Sequence, residues 1–276
     1  MRSEKYWHKA LDQTYLSITN NGLFPLKTTV VTREYYNKND FIIRELDTSR
    51  FKKQNSYGPK HNPFNPWDKI LEIDKIGTNH QLILNKYPVQ KGHILLITNT
   101  WRPQDGWLDV NDWLAIQMVN KDTSGLWFFN SSPIAGASQP HRHFQLLRRA
   151  NGEITCPREK WFLDLEINND QDSKLKKNVV VSEFNFLEDS TKIYNLYLKL
   201  SKKIGLGNPS IDKKPRFPYN ILITNNWIAI IKRKYDHVYG FSINGLGFAG
   251  YLLLTKKSNI NYLKNNGPEK LLENFV

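Results

Sequence analysis

Cysteine is almost absent from this 276-residue chain, in which Cys156 is the single representative. One cysteine cannot form an internal disulfide, which excludes a disulfide-stapled scaffold and agrees with a reducing cytoplasm. Long apolar runs are absent too, since no stretch reaches the roughly eighteen consecutive apolar residues of a membrane-spanning helix. The chain begins MRSEKYWHKALDQTYL, with charges where a signal peptide has its apolar segment. We therefore expect a cytoplasmic protein without a membrane partner.

Negative charge is also in short supply. The chain has 39 Lys and Arg against 26 Asp and Glu, a net charge of +13 with neutral histidines. This balance favours polyanionic partners such as nucleotides or nucleic acid. The basic residues are scattered, however, so a solvated Lys-rich surface explains them as well as a functional basic face does. A hydrophobic content of 39% and an aromatic content of 13% are enough for a core.

The pattern of apolar residues predicts an α+β fold rather than a doubly wound one. Strand-like segments LEIDKIG, HQLILNKYP and GHILLITNTW follow one another from Leu71 and are closed by turn signals. A helix capped at Asn111 and a buried strand over 126–129 come next. Antiparallel strands interrupted by helices are typical of the α+β class.

The polar segment at 168–178 predicts a boundary between a first region, 1–168, and a second region, 179–276. The segments LITNTW at 96–101 and LITNNW at 222–227 differ at one position, a faint echo that leaves a degenerate duplication open.

The stretch from Asn130 to Arg149, NSSPIAGASQPHRHFQLLRR, is the candidate active site. If 141–147 is a strand, its two-residue period aligns His141, His143 and Gln145 on one face. The three polar groups then stand beside a loop of small residues.

Three interpretations of this ladder compete. His-x-His can present two imidazoles to a metal, but Gln is a poor third ligand and no carboxylate or cysteine lies nearby in sequence. The two histidines can instead be structural and satisfied by backbone carbonyls. The third interpretation is nucleophilic catalysis on a phosphate, since Gly136, Ala137 and Ser138 would let an anion approach backbone N–H groups beside a neutral imidazole. With one glycine and no Gly-Lys-Ser/Thr, this loop is not a Walker-type loop.

NSSPIAGASQPHRHFQ resembles the signature of ATP adenylyltransferases, also called diadenosine tetraphosphate phosphorylases, in the histidine-triad and galactose-1-phosphate uridylyltransferase superfamily. Four further segments match in the same order: GPKHNPFNPWD, LNKYPVQKGHILLIT, PYNILITNNW and SINGLGFAG. The resemblance implies a histidine-triad-like antiparallel sheet with flanking helices. The first region would be catalytic, and the second would complete the sheet and the nucleotide site.

The resemblance also implies residue roles. His143 would be the nucleophile, His141 would orient it, and Gln145 and Ser138 would act on the transferred phosphate. The residues implied to bind nucleotide or phosphate are Lys60, Asn85, Lys86, Asn130, Gly136, Ala137, Ser138, Gln139, Gln145, Asn244, Gly245, Leu246 and Tyr251. Thr255 stands where the family has a lysine, and Lys256, one residue on, would face the other way on a strand.

The reaction implied by the resemblance is reversible phosphorolysis of diadenosine tetraphosphate to ADP and ATP through an adenylyl-histidine. The partners would be adenine nucleotides, dinucleoside polyphosphates and orthophosphate. A divalent cation, expected to be Mg²⁺, would bind with the polyphosphate and not at a metal site formed by side chains. A related enzyme that uses water or a sugar phosphate as acceptor is the main alternative. A non-catalytic nucleic-acid-binding protein is disfavoured by the scattered charge.

Overall fold

The computed structural model describes residues 2–30, 41–47, 62–149, 153–168, 172–186 and 188–276. The helices are α1 (Lys5–Thr19), α2 (Val110–Asp122), α3 (Glu159–Asn168), α4 (Lys174–Lys177), α5 (Ser190–Lys203), α6 (Gly245–Phe248) and α7 (Ile260–Glu273). The strands of the first region are β1 (Thr28–Val30), β2 (Ile42–Leu46), β3 (Glu72–Ile76), β4 (His80–Leu84), β5 (Ile94–Thr98), β6 (Leu126–Asn130) and β7 (His143–Leu147). Those of the second are β8 (Val179–Glu183), β9 (Tyr219–Ile223), β10 (Trp227–Lys232), β11 (His237–Val238), β12 (Phe241–Ser242) and β13 (Tyr251–Leu254).

One eight-stranded sheet organises the fold, in the order β3-β4-β5-β7-β6-β9-β10-β8. Every neighbouring pair in it is antiparallel. The sheet and its flanking helices confirm the predicted α+β class. Strand β6 pairs with β9, so strands from both sides of the predicted boundary share this sheet. A smaller sheet, β1-β2-β13, contains a parallel pair, β2 with β13.

Helices pack on both faces of the large sheet, and each face has its own apolar core. Trp127 and Phe144 point to the face covered by α1, α2 and α5. Phe128 and Leu147 point to the other face, where α3, α6 and α7 pack over one part of the sheet. Across the described residues, no helix combines the length and the apolar character needed to cross a bilayer.

Two local expectations are corrected, and the two echoed segments are found in different local settings. Helix α2 is capped by Asp109 and not by Asn111. The carboxylate of Asp109 accepts the N–H groups of Asn111 and Asp112, and the carboxylate of Asp112 accepts the N–H of Asp109, which completes a capping box. The echoed segments have different settings: LITNTW leaves β5 for a loop, whereas LITNNW makes the turn between β9 and β10. Regular strand begins at His143, because His141 makes only an isolated bridge with Pro103.

Candidate active site

A cleft of about 450 Å³ lies over the face of the sheet to which His143 and Gln145 point. The register pairs His143 with Ile97 and Gln145 with Leu95, which places these four side chains on one face. Six residues predicted to be functional line the cleft together: Asn85, Lys86, Ser138, Gln139, His143 and Gln145.

His143 has one nitrogen engaged and one available. Its Nδ1–H donates to the backbone carbonyl of His141 at 2.8 Å, so the lone pair is on Nε2. Burial lowers the pKa of His143 to about 4, although the hydrogen bond to His141 opposes the shift. The imidazole is therefore neutral at pH 7, the state in which it can act as a nucleophile.

His141 has both nitrogens occupied by the protein. Its Nε2–H donates to the carbonyl of Thr98 at 2.8 Å, and its Nδ1 accepts from Nδ2 of Asn62 at 2.8 Å. Phe64 packs edge-on against both imidazoles, with ring centroids 5.6 Å from His141 and 5.4 Å from His143. His141 is thus placed to hold its neighbour and has no nitrogen left for a substrate.

Gln104 is a buried residue that sequence reasoning missed. Its Oε1 accepts the N–H of His143 at 2.8 Å, and its Nε2 donates to the carbonyl of Asn130 at 2.7 Å. These are the backbone groups that would pair if the β6–β7 ladder continued past its last pair, Phe128 with Gln145. The inserted amide therefore lets the two strands separate beside the nucleophile.

The loop before β7 differs from the predicted anion cradle. The N–H groups of Gly136 and Ala137 donate to the carbonyls of Pro133 and Ser132, at 2.8 and 2.9 Å, because a 3₁₀ turn consumes them. These two N–H groups are therefore already hydrogen-bonded within the loop. Within the described residues, the backbone N–H groups of Ser138 and Gln139 have no acceptor, so the free donors lie one step further along the loop.

Gly136 has a different reason to be glycine. Its φ is +90°, and a Cβ there would lie 2.5 Å from the Cβ of Asn244. The loop before β7 therefore touches the segment that leads into α6, and a larger residue at 136 would push the two apart.

Asn130 joins the same two segments through its side chain. Its Oδ1 accepts from Nδ2 of Asn220 at 2.7 Å and from the N–H of Gly245 at 2.9 Å. Its Nδ2 is buried and has no partner among the described residues. On strand β6 this amide follows the face of Phe128, which pairs with Gln145, so a spare N–H donor stands on the catalytic face.

Arg233 is a second buried residue that sequence reasoning missed, and it donates hydrogen bonds to this network from the protein interior. The side chain is 1% exposed and donates to Asn220 Oδ1 at 2.7 Å and to the carbonyls of Ala135 and Ile243 at 3.3 and 2.8 Å. Burial lowers its pKa to about 9, so it keeps its charge at neutral pH. A buried cation thus lies directly behind the loop.

The remaining predicted residues lie apart from the catalytic cleft. Asn244 and Tyr251 line two further clefts, of about 290 and 590 Å³, and Leu246 lines the smaller one. Gly245 is buried against Asn130 and lines neither. Lys60 lies outside the described residues.

Thr255 and Lys256 both line the larger of these two clefts. Strand β13 ends at Leu254, and Thr255 opens a turn in which the N–H of Ser258 donates to its carbonyl at 3.0 Å. Strand alternation therefore does not extend to Thr255 and Lys256, which border the same cleft.

The site offers no side-chain cage for a metal. Among the described residues, no group of three His, Cys, Asp or Glu could hold an ion. Asp68 is the carboxylate that lines the catalytic cleft, and its Oδ1 already caps a short turn by accepting the N–H of Ile70. A cation here would have to rely on oxygens brought by the ligand.

Two sequence families match this chain over most of its length. The Ap4A phosphorylase N-terminal domain matches residues 1–160, and the ATP adenylyltransferase C-terminal domain matches residues 173–276. Protein APA1 of Saccharomyces cerevisiae is 24% identical over 290 residues, which cover 94% of this chain and 89% of the relative. Diadenosine 5',5'''-P1,P4-tetraphosphate phosphorylase 2 of the same yeast is 23% identical over 278 residues, covering 90% of this chain and 85% of the relative.

Solved structures show the same fold. The crystal structure of yeast Ap4A phosphorylase Apa2 in complex with Ap4A superposes with a TM-score of 0.72 at 21% identity, covering 99% of this chain and 98% of that one. The complex of the same enzyme with AMP gives a TM-score of 0.71 over the same shares.

Proposed function

The chain belongs to the Ap4A phosphorylase family, and from that premise we propose that it cleaves diadenosine tetraphosphate with orthophosphate to give ADP and ATP. The observation that carries the proposal is the state of His143. Its Nδ1–H is held by a backbone carbonyl, its ring is neutral, and it lines a cleft shared with Gln145 and Ser138. This is what nucleophilic attack on phosphorus requires.

In the first step, the Nε2 lone pair of His143 attacks the α-phosphorus of one adenylyl group. The bond between that phosphorus and the bridging oxygen breaks, and ATP leaves. No proton has to be removed from Nε2, and the positive charge that develops on the ring is stabilised by the carbonyl of His141. In the second step, an oxygen of orthophosphate attacks the same phosphorus, the P–N bond breaks, and ADP leaves with His143 restored.

Neutral and cationic donors stabilise the transferring phosphate. The amide of Gln145, the N–H groups of Ser138 and Gln139, and the spare Nδ2–H of Asn130 stand on the catalytic face. Lys86, which lines the cleft, adds positive charge near the polyphosphate. Such preorganised donors act where charge accumulates in the transition state.

A divalent cation, which we expect to be Mg²⁺, enters with the substrate. It would be held by phosphate oxygens and would offset their charge. The second nucleotide extends from the catalytic cleft toward the two clefts beside Asn244 and Tyr251, where Lys256 and Lys257 can meet phosphate oxygens. With one cysteine in the chain, a cytoplasmic location stays part of the proposal.

The test is a product assay with and without phosphate. We expect ADP and ATP from diadenosine tetraphosphate only when orthophosphate is present, and an added adenylyl group on the peptide that contains His143 when it is omitted. AMP and ATP formed without phosphate would instead identify a hydrolase. Salt-sensitive binding of RNA or DNA with no turnover would favour the nucleic-acid-binding alternative.

A further inference from the structure

His93 is a buried histidine on the catalytic face that the proposed mechanism does not use. It directly precedes β5, follows the β4–β5 turn and is 2% exposed. Both ring nitrogens have side-chain partners: Nε2 lies 2.9 Å from Oε1 of Gln145, and Nδ1 lies 3.4 Å from Nδ2 of Asn85. His93 therefore lies between Asn85, which the family resemblance implies to bind nucleotide, and Gln145, which it implies to act on the transferred phosphate.

One backbone group fixes the direction of this chain of hydrogen bonds. The N–H of Tyr87 can only donate, and its acceptor is Oδ1 of Asn85 at 2.9 Å. The other end of the Asn85 amide is then the Nδ2 donor, so Nδ1 of His93 must accept. A neutral ring with a bare Nδ1 carries its proton on Nε2, which therefore donates to Oε1 of Gln145.

The consequence for Gln145 is a fixed polarity. Its oxygen is engaged by His93, so the polar atoms left for the cleft are the two N–H donors of its amide. A free amide could turn over and present its oxygen to a phosphate oxygen, which is repulsive. In that orientation the oxygen of Gln145 would repel the phosphate that His143, on the same face of the strand, has to attack.

The neutral state of His93 supports this arrangement. Burial, with a smaller contribution from the neighbouring ring of His143, lowers the pKa of His93 to about 3, although the hydrogen bond that His93 donates to Gln145 opposes the shift. A proton on Nδ1 would set two donors, His93 and Asn85, against each other.

We propose that His93 is a positioning residue for adenylyl transfer: the relay from Tyr87 N–H through Asn85 and His93 holds Gln145 so that its N–H donors face the transferring phosphate. The inference rests on the proposed function. It also links the residues lining the nucleotide side of the cleft to the polarity of the group that acts on phosphorus.

The first test measures single-turnover adenylylation of His143 by mass. Replacing His93→Leu should slow the step about 100-fold, the usual order for one transition-state donor, while the concentration of dinucleotide giving half the maximal rate changes less than about threefold. His93→Gln, which offers an amide N–H near the site of Nε2, should recover most of the rate.

A double-mutant cycle shows whether His93 acts through Gln145. In a Gln145→Ala background, His93→Leu should cost less than about threefold, because the group to be positioned is gone. An equal loss in both backgrounds, or a normal rate for His93→Leu alone, overturns the inference.

His80→Leu is the matched control. His80 is buried on the opposite face of the same sheet, where it bonds to Asp112 at 3.1 Å. This variant loses a buried histidine and a hydrogen bond but should keep its adenylylation rate per folded molecule within about threefold. A loss as large as that of His93→Leu would mean that both variants act through general destabilisation, against the inference.

The second test needs no turnover. Long-range ¹H–¹⁵N spectra of histidine-labelled protein should show His93 as the Nε2–H tautomer in the absence of nucleotide. An Nδ1–H tautomer overturns the relay whatever the substrate is. If the spectra show the relay but wild-type protein makes no adenylyl-enzyme, the proposed function fails, and the catalytic part of the inference fails with it.

Discussion

Buried polar side chains near the start of strand β7 are stabilised in different ways on the two faces of the large sheet. On one face Arg142, 3% exposed, bonds to Asp112 at 2.8 Å, and the same carboxylate accepts from His80. On the other face the histidines are neutral, and their partners are carbonyls and amides. Arg142 lies between His141 and His143 in the chain, so the difference arises from what packs against each face of the sheet.

The difference has a chemical reason. A carboxylate beside an imidazole favours its protonated form, which has no lone pair to offer. Asp112 shows how strong such coupling is: burial alone would raise its pKa, but the His80 bond and the charge of Arg142 together lower it. Charge compensation serves stability on one face, whereas on the other face the partner of the His143 Nδ1–H is a backbone carbonyl and not a carboxylate.

The largest expected effect comes from removing the reactive member of the neutral face. His143→Ala should lower phosphorolysis by at least about 10⁴-fold, since the covalent route is lost. The change in the free energy of unfolding of this variant should be small compared with its loss of activity. The measurement pairs steady-state rates with denaturant unfolding. Residual turnover within tenfold of wild type would remove His143 from the mechanism.

Breaking the ion pair on the opposite face of the sheet should lower stability much more than activity. Asp112→Ala leaves the guanidinium of Arg142 buried without its carboxylate and deletes half of a capping box, so the free energy of unfolding should fall by about 3–5 kcal/mol. Adenylylation per folded molecule should stay within about tenfold. Urea unfolding and active-site titration measure the two quantities. Unchanged stability would show that the ion pair is not the structural element we describe.

Lowering the pH should reduce the free energy of unfolding through the buried neutral histidines of the catalytic face. The folded pKa values of His93 and His143, about 3 and about 4, lie below the usual value of 6.5, so the unfolded chain binds protons that the folded chain does not. Their stabilisation is complete above pH 6.5 and is lost as pH falls toward those values. From pH 7 to pH 5 each should remove about 2 kcal/mol from the free energy of unfolding.

Unfolding curves of wild type and His143→Ala at both values of pH provide the comparison. The variant should lose about 2 kcal/mol less than the wild type over this range, because His143 no longer contributes while His93 and His141, whose pKa values burial also lowers, still do. Equal losses would mean that other groups govern the acid response.

Local patterns were enough to predict much of the fold. The strand-like segments from Leu71 located β3, β4 and β5, and the buried strand expected over 126–129 is β6. The polar ladder at His143 and Gln145 was visible because strand period alone aligns its members. The family resemblance supplied Asn85 and Lys86, which the structure brings to the same cleft.

The supporting residues could not be predicted, because their partners lie far away in sequence. Gln104 meets the backbone of His143 across 39 residues, and Arg233 meets Ala135 across 98. His93 lies within the predicted strand segment GHILLITNTW, but no local pattern shows that this strand pairs with β7. The 3₁₀ turn that uses the N–H groups of Gly136 and Ala137 could not be predicted either, because composition shows only that a loop of small residues can approach an anion.

The contact between Asn130 and the second region has a consequence for synthesis of the chain on the ribosome. Its Oδ1 is held by residues that lie 90 and 115 positions further along, Asn220 and Gly245. A nascent polypeptide can therefore expose His143 long before the far side of the phosphate site has left the exit tunnel. Contacts over such separations form late because loop closure must come first. A ribosome-bound fragment ending before Asn220 carries His143 without the partners of Asn130, so we expect activity only after Asn220 and Gly245 have been synthesised.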